Sequence, residues 1–255
     1  MTAELGVTYS LSPAIDCLHT LYLGPFKMYC KLVLWSLLNA RVWGSLQLTV
    51  SEGLQLAVNR LRGALWDWYK ERHEKFPKEN LTKLAELTHK MLGTPADPLL
   101  KTKAAETWGL VHFCVDKTLE HRHALGRTGL PLHEAGKCIV EHIQVMKNHG
   151  CRLPASAIQS LHDTLKRHLL SLIDIAEDLP FEWELPKHHL WVHMVNRVSK
   201  TGNPRLVDNF LNESLNKLLK STCKYASQIT FERSVLYKMK GAMRSLEKKR
   251  QRESG

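Results

Sequence analysis

Apolar residues recur at steps of three and four through most of the chain, the spacing of one face of an α-helix. In 51–72, Leu54, Val58, Leu61, Leu65 and Trp68 form one stripe, with Arg60, Arg62 and Lys70 off it. A shorter helix is predicted from Asn80 to Gly93, with Leu81, Leu84, Leu87 and Met91 inward. Asp97-Pro98 reads as an N-cap followed by proline at the first helical position, opening a stripe of Leu100, Ala104, Trp108, Val111, Val115 and Leu119 that Gly126 ends. Pro131 opens another through Leu132, Ala135, Ile139, Ile143 and Met146, stopped by Gly150. Pro154 opens a third through Ile158, Leu161, Leu165, Leu169, Leu172 and Ala176, stopped near Pro180. A further helix is predicted from near Lys187 to the Gly202-Asn203-Pro204 breaker, a long helical run follows, and a last helix from about Thr230 carries Phe231, Val235, Met239, Ala242 and Leu246. Period-two alternation is absent. The expectation is an all-α, bundle-like array of about eight to ten helices, organised as a helical region over 1–180, C-terminal helices over 181–245 and a basic tail over 246–255.

The 255 residues, 44% hydrophobic, are enough to bury a substantial core. The most apolar window, Cys30 to Leu38, is too short to span a bilayer. The first sixteen residues have no basic-then-apolar leader pattern, so a nuclear or cytoplasmic rather than secreted protein is expected, with no membrane partner. Cysteines at 17, 30, 114, 138, 151 and 223 form no CxxC pair and read as reduced thiols. The formal net charge of +11 favours polyanionic partners, and Arg233, Lys238, Lys240 and Arg244, with the tail after Leu246, make the C-terminal quarter the expected nucleic-acid face.

Two segments carry candidate chemistry. In Ile15-Asp16-Cys17-Leu18-His19-Thr20-Leu21-Tyr22-Leu23-Gly24, Asp16 is placed to hydrogen-bond the His19 ring and fix its tautomer. Such a pair either orients a catalytic or DNA-contacting group or simply caps a helix start, and the residues alone favour the cap. In the second segment, Leu185-Pro186-Lys187-His188-His189-Leu190-Trp191-Val192-His193 precedes the Gly202-Asn203-Pro204 break and then Phe210-Leu211-Asn212-Glu213-Ser214-Leu215-Asn216-Lys217. Glu213 leads Lys217, Lys220 and Lys224 along one helix face, an order suited to a metal-bound phosphoryl site but equally to a solvated face with one Glu–Lys pair. His189 and His193 have the i,i+4 spacing of a zinc pair, without the glutamate of an HExxH motif, and core or DNA-facing histidines are the preferred reading. Cys17, His19 and Cys30 lack a fourth ligand at useful spacing. Trp35, Trp66, Trp68 and Trp108 are read as packing. Glycine-rich phosphate loops and a GxSxG elbow are absent.

Taken in order, the two segments resemble the RNase H-like DDE transposases of eukaryotic cut-and-paste elements, especially the CACTA-like and hAT-like groups. Asp16-Cys17-Leu18-His19 is similar to the D/C-x-x-H motif that follows that family's second catalytic aspartate. Glu213 and Asn216 are similar to its final acid and the asparagine beyond it, although two residues rather than none separate Phe210 from the acid. The resemblance implies a helical insertion domain followed by the helix of the last catalytic acid. It makes Glu213 a vestigial Mg²⁺ ligand, Asp16 and His19 supporting residues, and DNA the partner of Lys217, Lys220, Lys224, Arg233, Lys238, Lys240 and Arg244. Mg²⁺ would bind only if two further aspartates completed the site, and only fifteen residues precede Asp16, so the expectation is a fragment or domesticated remnant without strand-transfer activity of its own. The rival expectations are a non-enzymatic helical scaffold for protein or nucleic acid and, more remotely, a metal-dependent hydrolase using the histidine-rich helix.

Overall fold

A computed structural model describes residues 15–44 and 50–207, and beyond them positions 220, 232, 233, 236–238, 240, 241 and 244. Two compact units divide the chain, Met1–Val207 and Asp208–Gly255. The described residues are mostly helical and contain no β-strand. In the first unit the helices are α1 (Pro25–Asn39), α2 (Val50–Lys75), α3 (His89–Leu92), α4 (Ala104–Glu120), α5 (Arg122–Leu125), α6 (Gly129–Lys147), α7 (Ala155–Ile173) and α8 (Pro186–Thr201), preceded by a π-helical turn over Leu18–Tyr22.

The all-α expectation holds, and the apolar 30–38 window explains its core. In α1, Phe26, Tyr29, Cys30, Leu32, Val33, Leu34, Trp35 and Leu37 leave almost no surface exposed. A helix apolar on every side has to be surrounded, and α1 packs on α4 while α4 packs on α6 and α6 on α7. The two lysines that interrupt the run stay half-buried and extend their ammonium groups to carbonyls, Lys27 to Thr102 O (3.2 Å) and Lys31 to Pro98 O (3.3 Å). The stripe of α6 is buried at every predicted position, from Leu132 to Met146.

Two expected helix starts are corrected. The segment after Asn80 is irregular until His89, although Leu84 and Leu87 are buried as expected. Leu84 N–H donates to the Tyr69 hydroxyl (3.3 Å), so a side chain of α2 accepts the hydrogen bond that a helix would give to its own backbone. A segment this short gains too little from local hydrogen bonds to outweigh such a tertiary contact. Asp97-Pro98 belongs to a tight turn that pairs Gly93 with Pro98. Gly93 has φ +80°, and a Cβ there would lie 2.2 Å from Asp97 O, so the turn requires glycine. The helix instead begins at Ala104, where Glu106 accepts the Lys103 N–H (2.8 Å). The inward face of α4 carries Leu110, Phe113 and Cys114, and Leu119 is left exposed.

Candidate functional site

Asp16 opens the π-helical turn. One carboxylate oxygen accepts the Leu18 N–H (3.0 Å); the other accepts the His19 N–H (3.3 Å) and meets His19 Nδ1. This is the geometry of a helix cap, with both oxygens turned to local donors. At the far end of the segment, Lys187 Nζ donates to Leu23 O (3.2 Å), and a Cβ on Gly24 would fall 2.2 Å from Thr20 O and 2.7 Å from Lys187 Cδ. Phe26 packs edge-on against Trp191, with ring centroids 5.5 Å apart. The D-x-x-H segment and the start of the histidine-rich helix are therefore in direct contact through Leu23 and Lys187, while Trp191 meets the first turn of α1. Burial holds the Lys27 ammonium below the usual lysine range, with the Lys187 charge adding to the effect.

The histidines of α8 divide by face. His188 turns inward, and its Nδ1 accepts the Leu185 N–H (3.1 Å) at the helix start. It stacks on His168, which with His142 packs against Trp191. Trp191 donates to His142 Nε2 (3.1 Å), so the His142 proton sits on Nδ1 and is directed at Thr164 Oγ1 (2.9 Å). His168 Nδ1 donates to Ala135 O (2.9 Å). Burial lowers these three rings to about 3 for His142 and about 4 for His168 and His188, so all are neutral core groups. On α4, burial and then the nearby Arg72 charge lower His112 to about 4. His189 and His193 are exposed on the opposite face of α8. Among the described residues, no group of three or more His, Cys, Asp or Glu is placed to hold a metal ion.

Glu213, Lys217 and Lys224 lie outside the described residues, as does the tail over 246–255. Lys220, Arg233, Lys238, Lys240 and Arg244 are helical and exposed. On one continuous helix, at about 100° per residue, Arg233, Tyr237, Lys240 and Arg244 would fall within roughly 60° of one another, opposite the apolar stripe expected from the sequence. Tyr237, 82% exposed, stands among these three cations. The unit Asp208–Gly255 carries eleven Lys and Arg against five Asp and Glu, which is +6 of the chain's +11 in fewer than a fifth of its residues.

One tryptophan read as packing is not. Trp66 is 48% exposed, with the Arg62 guanidinium 5.2 Å from its ring, beside a cleft of about 370 Å³ lined by Tyr69, Lys70, His73, Lys83 and Leu84. Its place one residue after the stripe position Leu65 was the available signal. The histidine core also escaped the sequence reading, because His142 and His168 come from two different helices. Among the described residues, no helix is long and apolar enough to cross a membrane. No protein-family model, curated protein or solved structure matches this chain.

Proposed function

We propose that this protein binds DNA through the basic outer face of its C-terminal unit, as a transposase-derived helical protein. The observation that carries the reading is that Arg233, Tyr237, Lys240 and Arg244 are all helical and exposed, at spacings that share one face of a helix. Cations in such a row follow a phosphate backbone, and each phosphate neutralised releases counterions, so affinity depends on charge count more than on sequence. The resemblance of Asp16-Cys17-Leu18-His19 and of the segment around Glu213 to DDE transposases supports DNA as the polyanion and a nuclear location. On that resemblance Glu213 supplies a carboxylate for Mg²⁺, with Asp16 and His19 in supporting roles.

The test is duplex binding by the full chain as salt is raised. Wild-type affinity should fall linearly on a log–log plot. The combined change Arg233→Glu, Lys240→Glu and Arg244→Glu should lower the magnitude of the slope by about 3, at about 0.9 for each phosphate that is no longer neutralised. An unchanged slope in that variant, or no salt dependence in the wild type, overturns the reading.

A further inference from the structure

The outward face of α8 presents two imidazoles to one point. His189 and His193 are four residues apart and exposed, their Nε2 atoms stand 2.8 Å apart, and the rings are nearly perpendicular with centroids 4.3 Å apart. The described residues include all 14 histidines of the chain. The other close pair, His168 and His188 at 6.2 Å, is buried and sealed from an incoming ion. As neutral rings, His189 and His193 satisfy each other only by sharing one proton between two ring nitrogens. With the protons on Nδ1, both Nε2 lone pairs converge outside the helix, and a doubly charged ion can accept both.

We propose that His189 and His193 form a surface chelate for a divalent late transition-metal ion, copper(II) before zinc(II). The separation carries the preference. At a metal–nitrogen distance of about 2.0–2.1 Å, nitrogens 2.8 Å apart subtend an angle of about 85° at the metal. That is the cis angle of a tetragonal ion, the geometry of copper(II) or nickel(II). A tetrahedral zinc ion needs about 109°, and so nitrogens about 3.4 Å apart. Copper(II) also stands highest in the general affinity order of divalent first-row ions for nitrogen donors. With no third His, Cys, Asp or Glu in place among the described residues, the protein supplies two donors and water the rest. Exposed Asn196 lies on the same face, one turn beyond His193. The site is independent of the nucleic-acid reading.

The experiment titrates the full chain with Cu²⁺ in a glycine-containing buffer, after native-state alkylation of accessible thiols, since Cys151 is exposed. The wild type should bind one ion, with an electron paramagnetic resonance spectrum showing two equatorial nitrogens. His189→Ala and His193→Ala should each lose at least tenfold in affinity and one nitrogen coupling, while His123→Ala, which removes an exposed ring on α5, should bind as the wild type does. Zn²⁺ should bind at least tenfold more weakly than Cu²⁺. Both α8 side chains are exposed, so unchanged circular dichroism in the two variants establishes that folding is not the cause. A wild type that takes up no Cu²⁺, α8 variants that bind it unchanged, or Zn²⁺ binding as tightly as Cu²⁺ overturns the proposal.

Discussion

Asn203 shows how a residue inside a breaker motif becomes a structural tie. It is 2% exposed, and its amide nitrogen reaches three carbonyls at the end of α6 and just beyond: Met146 O (2.8 Å), His149 O (3.0 Å) and Gly150 O (3.1 Å). Its side-chain oxygen accepts the Arg205 N–H (3.2 Å). These carbonyls include some that a helix end leaves without partners. Asn203→Ala should cost about 1–3 kcal/mol, seen as a melting temperature lower by several degrees. Asn203→Asp keeps the shape but turns an acceptor towards three acceptors, so it should be the less stable of the two. An aspartate variant that melts with the wild type would show that the three carbonyl contacts carry no stability. The Asn-Pro pair announced a chain break in the sequence, but not that the break reaches back more than fifty residues to hold α6.

Helix packing inverts a rule of helix propensity. Gly136 lies within α6, where alanine is ordinarily better than glycine by about 1 kcal/mol. A Cβ there would stand 2.0 Å from the Tyr29 hydroxyl, 2.4 Å from Tyr29 Cζ and 2.6 Å from Val115 Cγ2. Tyr29 is fully buried in α1 and has no room to turn away, so the glycine lets α1, α4 and α6 approach one another. Gly136→Ala should destabilise by at least about 2 kcal/mol, as overpacked cores do. Gly63 in α2 has nothing within 4 Å of the same added atom, and Gly63→Ala should stabilise by up to about 1 kcal/mol. Urea midpoints of the two variants should move in opposite directions; a shared direction would refute the packing account. From α7, Arg167 reaches Glu134 and Glu141 on α6, and its hydrogen bond and charge hold the Glu134 carboxyl below the usual range. That pairing is on the surface and adds little.

For the molecule as a whole, the neutral histidine core sets a pH limit. His142, His168, His188 and His112 have folded values of about 3 to about 4, below the unfolded value of about 6.5. The unfolded chain therefore takes up protons that the folded chain refuses. Their contribution is present in full above about pH 6.5 and is lost as pH falls towards the folded values, by up to about 1.4 kcal/mol per pH unit for each ring. The carboxylates lowered by ion pairs, Glu79 and Glu134, act in the same direction but only below their ordinary value of 4.5. Stability from urea unfolding should fall steeply between pH 6.5 and pH 4.5, and a flat profile there would mean that the buried rings titrate normally. The basic surface belongs to this scale as well, since more than half of the net charge sits in the last 48 residues.

Helical class, the stripe of α6 and the basic charge of the C-terminal unit were all determined by the sequence alone. Each follows from local periodicity or charge count, which need no partner to be known. The start of α4, the irregular path after Asn80, the exposure of Trp66 and the histidine core were decided only by tertiary structure. Tyr69 draws the Leu84 N–H away from a helix, and Gly93 turns the chain before Asp97 can cap one. The pairing of His142 with Trp191 joins residues 49 positions apart. The contact between the D-x-x-H segment and α8, through Lys187 and Leu23, spans 164. Linear spacing resolves which residues share a helix face; which faces meet depends on how the helices pack.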